Sequence, residues 1–445
     1  MILIPINRNY FTGLKKMLDI KFIRQNSQKV KKGCAKKQVK VDIDRLLELD
    51  KQRRETMVIL DGFRAKKNKA SKDIVAAKDK KAQKKIISEM RKIDKQSDKT
   101  KKQFQKIDKQ YKELIFQIPN LPFDDVPVGK DENDNVVLKE IGEKTKFDFK
   151  PKDHLELGEA LDIIDVKRAS KISGSRFSFL KKEGALLELA MMNLAIDFLS
   201  KKGFSLLIPP VMLKKEIAKG TGYFESADEN EAYFIPKDDM YLVGTSEQSI
   251  LTMHADEIFE EKELPKRYIG LSTCFRREAG AYGKDTKGIL RVHQFNKLEM
   301  FSFCKPEDSA KENKFFLELE EKLMQKLKLP YQVVNICTGD LGFPAAVKYD
   351  IETWMPGQNK YRETHSTSNC TDFQARRLNI RYRNSKSKKL EFVHTVNGTA
   401  FAIGRTLIAI IENYQQKDGS VLIPKVLQKY IGKEKICHKV KEKQF

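Results

Sequence analysis

The sequence predicts an α+β protein. A pair of long antiparallel helices stands first, followed by a larger domain built on an antiparallel sheet with flanking helices. Three observations carry this. Two N-terminal runs space apolar residues by fours and threes. A proline-rich stretch then breaks all periodicity. Beyond it, strand-like runs outnumber helical ones and lack the regular βαβ alternation of a doubly wound fold.

The helical pair comes first. Ile86, Met90, Ile93, Ser97, Thr100, Phe104, Ile107, Tyr111 and Leu114 step by four and three without a slip. Leu46, Leu49, Arg53, Thr56, Leu60, Phe63, Lys67, Ala70, Ile74 and Ala77 do the same with more polar members. Such spacing gives a seam that a second helix covers. The short break at 79–82 folds the two helices back on each other. The second helix, about 29 residues, reaches about 43 Å. The polar seam positions predict a loose, slender hairpin.

Composition sets limits. Charged residues make up 33% and hydrophobic ones 40% of 445 residues, enough for two or three domains with a sizeable core. No stretch approaches the roughly 20 apolar residues of a membrane helix. The six cysteines, Cys34, Cys274, Cys304, Cys337, Cys370 and Cys437, form no CxxC pair. That spacing gives no zinc site and predicts reduced thiols in a cytoplasmic protein. The formal charge is +24, from 86 Lys and Arg against 62 Asp and Glu. Residues 61–112 hold 19 basic and 7 acidic side chains, a net of +12, half the total in about an eighth of the chain. A basic hairpin of this kind suits the phosphates of a nucleic acid. The plainer alternative is a spacer or dimerising coil with solvated lysines.

Five segments result. Residues 1–16 carry no acid and no apolar core with a small-residue cleavage site; they read as an upstream-start extension, with Met17 the working start, and a short targeting segment is the alternative. Residues 17–117 form the helical arm. Residues 118–130 contain IPNLPFDDVP and read as a linker, since three prolines so close forbid a helix. Residues 131–432 form the larger domain, and 433–445 a basic tail. Within the larger domain, 184–202 and 312–329 read as helices, as does 405–416. The runs 204–212, 268–275, 295–304 and 333–338 read as strands.

Three constellations carry chemistry. The first runs from TCFRREAGAYG at 273–283 to GILRVHQFNKLE at 288–299. A strand bears an arginine and an acid, a glycine-rich basic loop follows, and a second strand ends in an acid. The loop suits a flap over phosphates. The second, YRETHSTSNCTDFQARR at 361–377, is strand-like yet too polar for a core. The third, TVNGTAFAIGRT at 395–406, sets a glycine before an arginine at a helix start, a combination that offers a cation and free N–H groups to a phosphate.

These segments resemble motifs 2 and 3 of class II aminoacyl-tRNA synthetases. The fuller strings FRREAGAYGKDTKGILRVHQFNKLEM, SNCTDFQARR and VNGTAFAIGRTLIAIIENYQ are similar to those of bacterial-type seryl-tRNA synthetases, as are MLDIKFIRQN at 17–26 and IPNLP at 118–122. The resemblance spans about 17–432. It implies a six- or seven-stranded antiparallel sheet, and a homodimer formed through the helix and strand that end at Pro209-Pro210. It implies ATP-dependent activation of L-serine and transfer to tRNA(Ser), and to tRNA(Sec) where one exists, with Mg²⁺ as the cofactor.

The resemblance also implies site residues. Arg276, Arg405 and Glu363 are the catalytic set. Arg276 meets the α-phosphate and the serine carboxylate, and Arg405 the γ-phosphate. Glu278 reads the adenine amino group, Phe295 stacks on the ring, and Val292 lies beside it. Thr364 and His365 join the ATP site, and Glu363 and Ser366 hold magnesium. Thr245, Glu247, Glu299, Asn397 and Thr399 bind serine together with Arg276. Many family members have Ser where His365 and Thr399 stand, so Thr399 brings an extra methyl to the pocket. Three rival readings remain: a paralogue that loads a carrier protein instead of tRNA, a non-catalytic tRNA-binding scaffold, and a class II synthetase for a different amino acid.

Overall fold

The computed structural model describes residues 18–77, 79–223, 230–279 and 287–437. The 1–16 extension, most of the glycine-rich loop and the end of the basic tail lie outside these residues. The chain divides into two units, Met17–Pro119 and a second from Asn120 onward.

In the first unit, α1 (Ile43–Ala76) and α2 (Lys80–Phe116) form the hairpin. Asp42 caps α1 by accepting from Arg45 N at 2.8 Å, and Asp79 caps α2 through Lys81 N and Ala82 N. The register is antiparallel. Arg53 pairs with Asp108 at 2.6 Å and Lys67 with Asp94, so the two residue numbers of each pair add to the same total. The Arg53 guanidinium also lies over the rings of Phe104 and Tyr111, at 5.8 and 5.1 Å from their centroids. The polar seam residue Arg53 is therefore part of the packing. With 37 residues, α2 is longer than the sequence suggested and reaches about 55 Å. Buried side chains occur only near the base: Ile43, Leu46, Leu49, Asp50 and Thr56 on α1, and Ile107, Tyr111 and Ile115 on α2. The outer part of the hairpin is as slender as its seam predicts.

The second unit is built on a sheet of eight strands, where six or seven were expected. They are β1 (Val136–Ile141), β2 (Ser205–Leu207), β3 (Lys266–Phe275), β4 (Gln294–Cys304), β5 (Tyr331–Asn335), β6 (Val347–Met355), β7 (Lys360–Thr371) and β8 (His394–Ala402). The order is β1-β5-β6-β7-β8-β4-β3-β2. All pairings are antiparallel except the edge pair β2–β3. The extra count comes from the two edges. β1 is largely exposed, and β2 is three residues long.

Four helices matter for the site: α3 (Lys182–Ser200), α4 (Ser246–Met253), α5 (Ser309–Leu327) and α6 (Ile403–Asn413). Phe316, Leu319, Leu323 and Leu327 of α5 are fully buried against Met300, Val333, Ile351 and Val396 of the sheet. Each such side chain contributes about 2 kcal/mol through burial. This packed layer leaves the opposite face of β4, β7 and β8 free for polar side chains.

The stretch expected to be a linker is packed instead of free. Asn120 Nδ2 donates to the carbonyls of Pro344 and Cys370, both at 2.8 Å, and Phe123 N donates to Ala346 O at 2.9 Å. Val126 is buried with Leu341, Ala345 and Val347. Proline excludes helix here, but the extended backbone keeps enough N–H groups to dock against the 341–347 segment.

Candidate active site

Two β-bulges aim the site. In β8, Ala400 is the extra residue between the pairs Leu298↔Phe401 and Glu299↔Thr399. In β7, Thr364 is extra between Glu352↔Glu363 and Ile351↔His365. A bulge re-aims side chains that strict alternation would send elsewhere. Thr364, Ser366 and Ser368 share one face by alternation, and the bulge lets Glu363 join them on the wall of a cavity of about 370 Å³.

That cavity gathers nearly every residue named from the sequence. Thr245, Glu247, Arg276, Glu278, Val292, Phe295, Glu299, Glu363, Thr364, Ser366, Asn397, Thr399 and Arg405 all line it. His365 does not. It is 1% exposed, and its ring packs on Phe401 at 5.7 Å between centroids. Its Nδ1 meets Thr364 Oγ1 at 2.9 Å, and burial pushes its pKa down to about 3. Set between Thr364 and Ser366, its side chain points by alternation into the core, away from the cavity where an ATP contact was expected.

One end of the cavity is an acidic well. Glu247, in the first turn of α4, accepts from Gln374 Nε2 at 2.7 Å and from Tyr223 OH at 3.0 Å. Burial raises its pKa to about 7, with the Glu299 charge adding to the rise. Glu299, 1% exposed, ion-pairs with Lys297 and faces the Thr399 hydroxyl at 3.5 Å. Its pKa is also raised, chiefly by burial, with Lys297 opposing the shift. Two buried carboxylates, one of them paired with a lysine, make a place that an ammonium and a hydroxyl would satisfy.

The other end is cationic. Arg276 Nε donates to Gly244 O at 3.2 Å, and its guanidinium lies 5.4 Å from the centroid of the Phe295 ring. Arg405, near the start of α6, donates to Glu363 Oε2 at 3.0 Å and to its carbonyl at 2.9 Å. Burial raises the Glu363 pKa, but Arg405 and Lys348 outweigh it and hold the carboxyl at about 2. Glu278 has a left-handed φ of 52° and accepts from Arg291 Nη1 at 2.8 Å. Among the described residues, no group of three or more His, Cys, Asp or Glu is placed to hold a metal.

Sequence reasoning missed Lys297, Lys348, Tyr223 and Gln374. For Lys297 the signal was present: Phe295, Lys297 and Glu299 alternate along β4 and therefore share a face. Gln374 and Tyr223 reach Glu247 only through tertiary structure, and nothing local announces them.

An antiparallel sheet of this order, with Arg276 over the Phe295 ring and Arg405 at a helix start lining the same cavity, defines the catalytic fold of class II aminoacyl-tRNA synthetases. Residues 231–414 match the model of the tRNA synthetase class II core domain (G, H, P, S and T), and residues 17–122 match the seryl-tRNA synthetase N-terminal domain. The chain belongs to the seryl-tRNA synthetase family. It is 45% identical over 420 residues to a serine–tRNA ligase of Thermodesulfovibrio yellowstonii, covering 94% of this chain and 99% of the relative. A serine–tRNA ligase of Bacillus pumilus is 46% identical, with 94% and 100% covered. The solved seryl-tRNA synthetase of Pyrococcus horikoshii, complexed with ATP, superposes with a TM-score of 0.87 at 42% identity, covering 95% of this chain and 100% of that one.

Proposed function

We propose that the chain joins L-serine to ATP, forming seryl-adenylate and pyrophosphate, and then transfers the seryl group to tRNA(Ser). The observation that carries this is one cavity with an acidic well at one end and Arg276 and Arg405 at the other. The serine ammonium is held by Glu247 and Thr245, and its hydroxyl by Glu299 and Thr399. ATP lies with its adenine on Phe295 and against Val292, its exocyclic amine toward Glu278, and its phosphates toward the two arginines. Carboxylate attack on the α-phosphorus brings two anions together, and the arginines offset that repulsion. The rest of the rate comes from positioning.

Glu363 and Ser366 fit Mg²⁺, because a carboxylate and a hydroxyl are hard oxygen donors and nucleotide phosphates supply the remaining ligands. Bound there, the ion would neutralise phosphate charge. A homodimer fits the exposed apolar side chains of Leu186 and Leu189 on α3 and of Leu206 and Ile208 on and just after β2. Among the described residues, no helix is long and apolar enough to cross a membrane. We place the protein in the cytoplasm as part of the proposed role in tRNA charging. The helical arm favours tRNA over a carrier protein as the acceptor.

Glu299→Ala is expected to raise the serine KM at least tenfold in pyrophosphate exchange while leaving the ATP KM within about twofold, since one lost charge-assisted contact is worth about 1.5–3 kcal/mol. A raised ATP KM with an unchanged serine KM would reassign this end of the cavity.

A pH dependence follows from Glu247. Serine binds as an ammonium and needs the ionised carboxylate, whereas the free protein holds this group near pKa 7. Below that pH the proton must be lost on binding, so serine kcat/KM should fall by up to about tenfold per pH unit below 7 and level off above it. Glu247→Gln should be weaker throughout and nearly flat between pH 6 and 8. An equally steep acid limb in Glu247→Gln would remove Glu247 as its cause.

A further inference from the structure

Arg405 lies near the N-terminal end of α6, and Glu412 lies two turns on, near its C-terminal end. Glu412 is fully buried and works as a clamp. Its Oε1 accepts from His154 N at 3.0 Å and from His154 Nδ1 at 3.1 Å, and its Oε2 accepts from Gly357 N at 2.9 Å. On the far side of the ring, His154 Nε2 accepts from Ile289 N at 3.3 Å. That contact fixes the tautomer: Nε2 presents its lone pair to an amide, so the proton sits on Nδ1 and points at Glu412.

Ile289 begins the segment that leaves the glycine-rich loop. Ile289, Leu290 and Val292 are buried and wall the ATP end of the cavity. The fit around the ring is close. Gly288 has φ +74°, and a Cβ there would stand 2.0 Å from His154 Nε2. Ile289 is held from its other side too, since a Cβ on Gly404 would come within 3.2 Å of Ile289 O. The exit of the loop and Arg405 are thus both fastened to α6.

We propose that His154 is a positioning residue for ATP: through Glu412 and the Ile289 amide it fixes the wall of the nucleotide site to the helix that carries Arg405. His154 is not among the residues that line the cavity. The inference rests on the placement of ATP in this cavity.

The test compares His154→Phe, His154→Gln and Arg405→Ala in full-length protein by pyrophosphate exchange. His154→Phe fills the space but cannot accept; its ATP KM should rise about tenfold, with the serine KM within twofold. His154→Gln carries an amide oxygen where Nε2 stands, and should restore the ATP KM to within about threefold. Gly288→Ala, which drives the loop off the ring, should raise the ATP KM alone and add little when combined with His154→Phe. If His154→Phe fails to fold, His154→Asn replaces it, keeping the Glu412 contact but stopping short of Ile289. Equal rises in both KM values, or no rescue by Gln, would overturn the inference and leave His154 a packing residue. If Arg405→Ala also left ATP use untouched, the fault would lie with the placement of ATP.

Discussion

Arg405→Ala and Arg276→Ala each lower serine-dependent pyrophosphate exchange by about 10²–10³, with little loss of folded protein, because a preorganised cation facing developing phosphate charge is worth about 3–4 kcal/mol. Both side chains face the cavity and neither anchors the core. Arg405 leans on Glu363 at 3.0 Å, and Arg276 lies over Phe295. Removing Arg405 also frees the Glu363 carboxylate that Arg405 and Lys348 hold at about pKa 2, so unpaired negative charge would face the incoming phosphates. The loss should therefore fall on kcat as well as on the ATP KM. Exchange within threefold of the parent in either variant would remove that arginine from the phosphate site. Circular dichroism on the same samples separates this from unfolding.

Deleting residues 61–100 and closing the hairpin with a short turn should leave serine activation within about twofold and lower tRNA aminoacylation by at least 10². The register dictates the cut: Arg53 opposite Asp108 and Lys67 opposite Asp94 bring residues 60 and 101 side by side. The buried residues of the arm lie outside the deleted span, so the base keeps its packing. The deleted span carries much of the basic excess, and phosphate contacts position an RNA without reading its sequence. Binding of tRNA by the parent should weaken steeply with salt, and the truncated form should show a much shallower slope. Aminoacylation retained in the truncated protein would refute the arm's role. Loss of exchange together with a change in oligomer mass would instead make the hairpin a structural coil.

The elements legible in the sequence are those in which one face is apolar. The hairpin helices, α3, α5, β3 and β4 all follow the expected spans within a few residues, except for the longer α2. β6 and β8 were not foreseen as strands. Lys348 on β6 and Asn397 and Thr399 on β8 point into the cavity, so the polar face of each strand is functional and breaks the usual pattern. β1 escaped because its residues are exposed on both faces. Most residues that line the cavity were legible through long motifs, whereas the His365 side chain turns away from it. Strict alternation puts Glu363 on the same face as His365, and the inserted residue at Thr364 brings Glu363 to the cavity and leaves His365 in the core. The bulge has no local sequence mark. The Glu412–His154–Ile289 strap joins residues 123 or more positions apart on either side of His154, which no periodicity can reveal.

The central claim is that the acidic well of this cavity selects serine for activation. Amino-acid-dependent ATP–pyrophosphate exchange, run side by side with serine, alanine, threonine, cysteine and glycine, tests it most directly. The expected result is exchange with serine at least 10³-fold above alanine, because the buried Glu299 and Thr399 are left without a hydroxyl partner when alanine binds. Exchange as fast with alanine or glycine as with serine, or exchange with none of the five, would contradict it.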